Sequence, residues 1–120
     1  MKINSRIHGA IDYGVVMFLL ISPIYFGLAD ITSKFTYALG IIHLLLTIST
    51  KFVLGVFKII PFKIHGLIEL IVSLALIGVA YYLGNLEGDL SRYFYIAFAV
   101  AVFITWVMTD YKNVASNKSS

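Results

Sequence analysis

The segment Ile7–Leu28 reads IHGAIDYGVVMFLLISPIYFGL and decides the fold class. A helix crosses the hydrocarbon core of a bilayer with about 20 mostly apolar residues, and this segment is of that length. Three similar stretches follow, at about Phe35–Thr50, Ile64–Leu83 and Tyr93–Met108. Because lipid offers no partner for open backbone groups, all four stretches are expected to be helical. The sequence therefore predicts an all-α membrane protein with four transmembrane helices.

The composition of the whole chain supports the same class. Of the 120 residues, 60% are hydrophobic and 12% are charged, whereas soluble domains have roughly 45–50% and 25%. So few charges could not cover the surface of a soluble domain, so the apolar excess must face lipid. The absence of cysteine excludes disulfides, thiolate nucleophiles and cysteine-ligated metal centres. A chain of this length is expected to form one domain, residues 1–120.

Basic residues are unevenly shared between the two ends of the predicted helices. The ends that include both termini and the middle of the chain carry Lys2, Arg6, Lys51, Lys58, Lys63, Lys112 and Lys118, and the opposite ends carry Lys34 and Arg92. By the positive-inside rule, both termini are predicted to be cytoplasmic in a multi-pass protein of the cell (inner) membrane. The basic residues form no continuous stripe, so lipid rather than nucleic acid is the expected partner.

The chain also contains an internal repeat at an offset of 57 residues. Ile7-His8-Gly9-Ala10-Ile11-Asp12 matches Ile64-His65-Gly66-Leu67-Ile68-Glu69, and Val15, Leu19, Tyr25 and Gly27 match Val72, Leu76, Tyr82 and Gly84. More weakly, Thr50-Lys51-Phe52 resembles Thr109-Asp110-Tyr111. We therefore predict two tandem helical hairpins, at about 6–50 and 63–110, that form a parallel internal repeat. A cleaved leader peptide is disfavoured, because the first span recurs inside the chain.

Residues 51–62 form the predicted interfacial linker between the repeats. Residues 52–60 are apolar apart from Lys58 and are too few to span a bilayer; Lys51 precedes them and Pro61 follows them. This pattern is typical of an interfacial turn or short helix. An extension of the second helix into the cytoplasm is the alternative.

The repeat places a candidate polar site at the cytoplasmic ends of the first and third helices. His8 and Asp12 are four residues apart and share one helix face, as do His65 and Glu69. A parallel repeat would bring all four side chains to one depth in the membrane. Small residues allow helices to pack closely, and Gly9 and Gly66 are the expected packing positions.

Three interpretations of these four residues stay open. Each acid could bond to histidine or to a neighbouring helix end and so fix the register of the helices. Two imidazoles and two carboxylates could instead bind zinc, manganese or iron. They could also form a proton or ion path, since ionisable groups inside membranes are costly and often functional. No cofactor is predicted beyond this metal alternative, and no residue pattern indicates a catalytic nucleophile, a phosphate loop or a dinucleotide site.

Two further residues in the predicted helices, His43 and Pro23, lead to separate predictions. His43 lies about eight residues from the inner end of the second helix, or roughly 12 Å by helical rise, whereas His8 and His65 lie at that end. A haem shared between them is therefore disfavoured, and a bond to Thr47 or to a neighbouring helix is expected. Pro23 lacks a backbone donor and is expected to kink the first helix near its outer end.

The pattern Arg6-Ile7-His8-Gly9-Ala10-Ile11-Asp12-Tyr13, followed by Ser22-Pro23-Ile24-Tyr25-Phe26-Gly27, resembles the SPW-repeat family of small bacterial integral membrane proteins. In that family a His-Gly-x-x-Asp-Tyr start leads to Ser-Pro-Trp-x-x-Gly, usually in two copies. Here Ile24 replaces the tryptophan, and Val79-Ala80-Tyr81 replaces the second tripeptide. The resemblance implies a fold and a membrane location, but no activity.

The function expected from the sequence is a non-enzymatic membrane module, either a homo-oligomer or a subunit of a larger membrane assembly. Its basis is the small size of the chain, since four short helices bury little surface between themselves. The alternatives are a transporter or channel for protons, ions or a small solute, and a metal-dependent membrane enzyme. Both would use His8, Asp12, His65 and Glu69.

Overall fold

A computed structural model describes residues 3–50 and 55–111 of the chain. Within these ranges the fold is all-helical, with α1 at Ser5–Tyr25, α2 at Asp30–Ile48, α3 at Phe62–Glu87 and α4 at Asp89–Met108. Each helix is long and apolar enough to cross a membrane. Even α2, with 19 residues, spans about 28 Å at 1.5 Å per residue. The prediction of four membrane-spanning-type helices is confirmed.

Helix ends differ by a few residues from those predicted. α1 begins at Ser5, where the Asn4 side chain accepts a 3.0 Å hydrogen bond from the backbone N–H of Ile7. α3 continues past the apolar stretch to Glu87, and a single residue, Gly88, separates it from α4. The φ of Gly88 is +101°, a conformation that glycine adopts without steric cost. Helices thus extend beyond the apolar runs, because polar residues outside the lipid core are also compatible with helix.

Packing pairs α1 with α2 and α3 with α4, whereas α1 and α3 make few backbone contacts. A buried hydrophobic cluster between the helices includes Leu76, Ala80, Leu83, Tyr95 and Ala99. It lies towards the end of the bundle where α1 and α3 finish and α2 and α4 start. The outward faces of the helices remain apolar. They expose large hydrophobic side chains, which include Met17, Phe18, Ile41, Ile42, Leu45, Ile71 and Leu74.

Polar bonds also join the helices at this end of the bundle. The Glu87 carboxylate accepts hydrogen bonds of 2.8 and 2.6 Å from the backbone N–H groups of Ile31 and Thr32, at the start of α2. The Thr32 hydroxyl lies 2.6 Å from that of Ser91. Glu87, at the end of α3, therefore caps the start of α2. Its carboxylate accepts from backbone N–H groups that have no partner within their own helix.

The described part of the linker is a turn that folds back over the end of α2. The N–H groups of Val56 and Phe57 bond to the Ile48 carbonyl, and those of Ile59 and Ile60 bond to the Ser49 carbonyl, at 2.7–2.8 Å. α2 ends at Ile48 and residues 55–60 are not helical, so the alternative of an extended second helix is wrong. Residues 51–54 of the predicted linker lie outside the described residues, as do Lys2, Lys112 and Lys118.

Candidate metal centre

The four side chains predicted to converge come together at the end of the bundle opposite the hydrophobic cluster. His8 and Asp12 lie on the first turns of α1, and His65 and Glu69 lie on the first turns of α3. All four belong to the buried residues of their helices. Their side chains meet between α1 and α3, whose backbones make few contacts.

The contacts form a closed ring of alternating nitrogen and oxygen atoms. Nε2 of His8 lies 3.2 Å from Oδ2 of Asp12 and 3.0 Å from Oε2 of Glu69. Nε2 of His65 lies 3.0 Å from the same Asp12 oxygen and 2.7 Å from the same Glu69 oxygen. Four potential ligand atoms thus lie within 4.8 Å of one another.

This ring is almost sealed from solvent. The residues are 0% (His8), 3% (Asp12), 0% (His65) and 5% (Glu69) exposed. Burying a carboxylate is costly unless its charge is balanced and its oxygens have partners. If both acids are ionised, they require about two positive charges in the same small space.

A threonine at the end of a neighbouring helix orients each imidazole. Nδ1 of His8 lies 2.8 Å from the Thr109 hydroxyl, and Nδ1 of His65 lies 2.7 Å from the Thr50 hydroxyl. Each hydroxyl donates its own proton to the carbonyl four residues earlier, at 2.6 Å for Thr109 and 2.7 Å for Thr50. The hydroxyl oxygens must then accept from Nδ1–H. Both rings therefore carry a proton on Nδ1 and present Nε2 to the centre.

Each acid also has an outer contact. The Tyr111 hydroxyl donates a 3.2 Å hydrogen bond to Oε1 of Glu69. Burial, together with the nearby Glu69 carboxylate, raises the pKa of Tyr111 above its usual value, so this phenol stays a donor. Oδ1 of Asp12 lies 3.5 Å from Nε2 of His43. His8, His65 and Glu69 thus each have a hydrogen-bond partner that influences their orientation, as is usual around protein-bound metals.

Aromatic rings close the side of the centre that faces the helix ends. The ring of His8 makes edge contacts with those of Phe62 and Tyr111, at centroid distances of 5.4 and 5.5 Å. A Cβ at Gly66 would lie 2.7 Å from the Tyr111 ring. Gly66 thus leaves room for this ring, rather than for the backbone of α1, and Gly9 is likewise buried.

His43 lies closer to the centre than its position along the helix predicted. Its ring centroid is 6.5 Å from that of His65, and its neighbour across the helices is Asp12. The expected separation of roughly 12 Å in depth is wrong, because α2 ends at Ile48 and Asp12 projects one turn deeper than His8. The Thr47 hydroxyl bonds to the His43 carbonyl, not to its ring.

The sequence analysis gave Thr50, Thr109 and Tyr111 no part in the polar site. The weak match of Thr50-Lys51-Phe52 to Thr109-Asp110-Tyr111 was the available signal. The two hydrogen bonds to Nδ1 are equivalent in the two helix pairs. Each joins a histidine at the start of one helix to a threonine at the end of another. Pro23, by contrast, lies far from this site, in the last turn of α1.

Comparison of the chain with protein-family models, with curated proteins and with solved structures gives no match. The resemblance to the SPW-repeat family stays a prediction.

Proposed function

We propose that this protein is a non-enzymatic membrane module built around a buried divalent-cation centre, with His8, Asp12, His65 and Glu69 as its ligands. The observation that carries this proposal is the state of Oδ2 of Asp12. This oxygen is buried and lies 3.0–3.2 Å from both Nε2 atoms, yet it has no hydrogen-bond partner among the described residues. Oε2 of Glu69 also lies 3.0 and 2.7 Å from these Nε2 atoms, and with each ring protonated on Nδ1 no proton lies between nitrogen and oxygen.

A divalent cation would resolve this arrangement. Two neutral imidazoles and two carboxylates balance a charge of +2, and their nitrogen and oxygen atoms suit zinc, manganese or iron. In a tetrahedral zinc site with bonds of about 2.0 Å, neighbouring ligand atoms are ~3.3 Å apart. The four nitrogen–oxygen contacts of 2.7–3.2 Å are close to that value, and all the ligand atoms lie within 4.8 Å of one another, so shifts of the side chains would accommodate the ion.

The proposed ion would hold the two helix pairs together. His8 and Asp12 come from α1, which packs on α2, whereas His65 and Glu69 come from α3, which packs on α4. The backbones of α1 and α3 make few contacts of their own. A metal between them supplies a cross-link where direct packing is weak, which supports a structural role.

We further propose that the helix pairs are the two copies of an ancestral hairpin, as the sequence repeat predicts. Isolated backbone bridges support this, because Ile3 pairs with Thr109 and Ile60 pairs with Thr50. Ile3 and Ile60 are 57 positions apart, the offset of the repeat. In both bridges the residue just before a histidine-bearing helix meets the threonine that orients a histidine.

The distribution of basic residues supports a location of this centre near the cytoplasmic face of the cell membrane. The polar end of the bundle is the end at which Ile3, Tyr111 and the described part of the linker lie. The exposed apolar faces of the helices suit lipid, a second copy of the chain or another membrane protein. We propose a homo-oligomer or a subunit of a membrane assembly, and native mass spectrometry from lipid nanodiscs would give the number of copies.

Elemental analysis of protein purified in nanodiscs tests the proposed centre. We expect about one divalent cation per chain, lost in Asp12→Asn and in His8→Ala/His65→Ala. His43→Ala is the matched control, because His43 contacts Asp12 but lies outside the ligand ring, and it should keep the metal. Folded wild-type protein without metal would overturn the proposal.

The transport alternative makes a different prediction in the same experiment. If the protein folds without metal, the rings must carry protons on Nε2 to balance the two carboxylates. The buried Nε2 of His43, 3.5 Å from Asp12, would then offer a next position for a proton. Proton flux into liposomes above that of empty vesicles, lost in Asp12→Asn, would favour this alternative.

A further inference from the structure

A cavity of about 180 Å³ lies between the four helices and adjoins the centre. Its walls come from all four helices and are mostly apolar, and they include Val15, Leu39, Val72, Phe98 and Val102. An engineered apolar cavity of about 150 Å³ admits benzene. The cavity is therefore large enough for one ring or for a short alkyl chain.

Polar groups reach the cavity at one end only, and they belong to the centre and its margin. Asp12, Glu69, His43 and Thr105 line the cavity, whereas His8 and His65 do not; the Thr105 hydroxyl already donates to the Ala101 carbonyl. The two imidazoles are held towards Thr109 and Thr50, and the Phe62 and Tyr111 rings cover the side next to the helix ends. A molecule in the cavity would thus meet the ligand ring on its carboxylate side.

His43 provides a hydrogen-bonding atom at the polar end of the cavity. Its Nε2 is buried and has no hydrogen-bond partner among the described residues. The nearest acceptor, Oδ1 of Asp12, lies 3.5 Å away, which is beyond ordinary hydrogen-bond length. A buried nitrogen without a partner is costly, and a ligand oxygen placed beside it would remove that cost.

The charges at the polar end of the cavity define the head group of such a ligand. Two carboxylates and one divalent cation are together neutral, so a carboxylate or phosphate on the ligand would add an uncompensated negative charge in an apolar site. An uncharged oxygen, as in an alcohol or a carbonyl, adds none. The apolar walls beyond it suit a tail without polar groups.

We propose that this cavity binds a small apolar molecule with one uncharged oxygen head group, which contacts His43 beside the Asp12 and Glu69 carboxylates. The proposal rests on the proposed metal centre. It adds the chemical class of the ligand and the residues that the ligand contacts.

Paramagnetic 19F NMR on nanodisc-bound protein tests this proposal, with 4-fluorobenzyl alcohol as the probe. The centre is loaded with Co²⁺, and Zn²⁺-loaded protein and empty nanodiscs give the diamagnetic and partition backgrounds. We expect broadening of the 19F line by Co²⁺-loaded protein alone. 4-Fluorobenzoate, with the same ring and a charged head, should give little broadening.

Two cavity-filling variants on different helices, Val102→Phe and Val15→Phe, should keep the bound Co²⁺ but bind the probe at least about tenfold more weakly. Elemental analysis of the same samples separates the two proposals. Absence of bound Co²⁺ overturns the metal centre and, with it, the head-group contact. Stoichiometric Co²⁺ without probe broadening, or with equal broadening in both variants, overturns the ligand site and leaves the metal centre intact.

Discussion

Nε2 of His8 lies 3.0 Å from Oε2 of Glu69, although 61 positions separate the two residues in the chain and they belong to different helix pairs. A contact of this kind between α1 and α3 gives the bundle a connection that its backbone packing lacks. The same Glu69 oxygen lies 2.7 Å from His65 on its own helix. Glu69 thus brings both imidazoles to one point.

The threonines behind the imidazoles should control metal affinity. Thr50→Val keeps the shape of the side chain but removes the acceptor for Nδ1–H of His65, so the ring loses its fixed orientation. We expect zinc affinity to fall about 10- to 100-fold, as for other residues that orient metal ligands. Competition with a fluorescent chelator measures the change. Thr109→Val should have the same effect through His8.

Two variants serve as controls for this prediction. Thr50→Ser retains the hydroxyl and should retain most of the affinity. Thr47→Val removes a buried hydroxyl that bonds to a backbone carbonyl and to no imidazole, so zinc affinity should be unchanged. Equal affinities in Thr50→Val and Thr47→Val would show that the threonine bonds do not orient the ligands.

Much of this centre follows from the sequence, because His8, Asp12, His65 and Glu69 obey rules that need no tertiary information. Spacing of four residues fixes a shared helix face, and the repeat fixes a common depth. Thr50, Thr109 and Tyr111 were not predictable as partners, since their positions depend on how α2 and α4 end and pack. His43 was misplaced for the same reason, as its distance from the centre depends on the end of α2.

Tyr111 should stabilise the folded protein over a wide pH range. Tyr111→Phe removes the hydrogen bond to Glu69, which we expect to lower the free energy of unfolding by about 0.5–1.5 kcal/mol. The pKa of Tyr111 is raised in the folded state, so this contribution is complete below the unfolded pKa of about 10 and is lost only as the pH rises above it. The difference between wild type and variant should therefore be constant from pH 6 to 9.

Thermal unfolding in nanodiscs at several pH values measures this difference. Tyr93→Phe is the control, because Tyr93 is exposed at the other end of the bundle and should have little effect. A loss of the Tyr111→Phe effect between pH 7 and 9 would mean that the phenol ionises there and that its hydrogen bond to Glu69 is wrongly assigned.

Two glycines of α3 should respond to alanine in opposite ways. At Gly66 the new Cβ would lie 2.7 Å from the Tyr111 ring, whereas at Gly78 it would meet nothing within 4 Å. We expect Gly66→Ala to destabilise the protein by about 1–3 kcal/mol through overpacking. Gly78→Ala should be neutral or stabilising by about 0.5–1 kcal/mol, because alanine favours helix. Equal effects in thermal unfolding would contradict the packing of Tyr111 on α3.

X-ray absorption spectroscopy at the metal edge tests the proposed centre most directly. For zinc-loaded protein in nanodiscs, we predict a first shell of four nitrogen and oxygen ligands at about 2.0–2.2 Å, with outer-shell scattering from two imidazoles. Asp12→Asn should abolish this signal. A first shell of about six oxygens without imidazole scattering would mean that the metal binds elsewhere on the protein and would contradict a centre formed by His8, Asp12, His65 and Glu69.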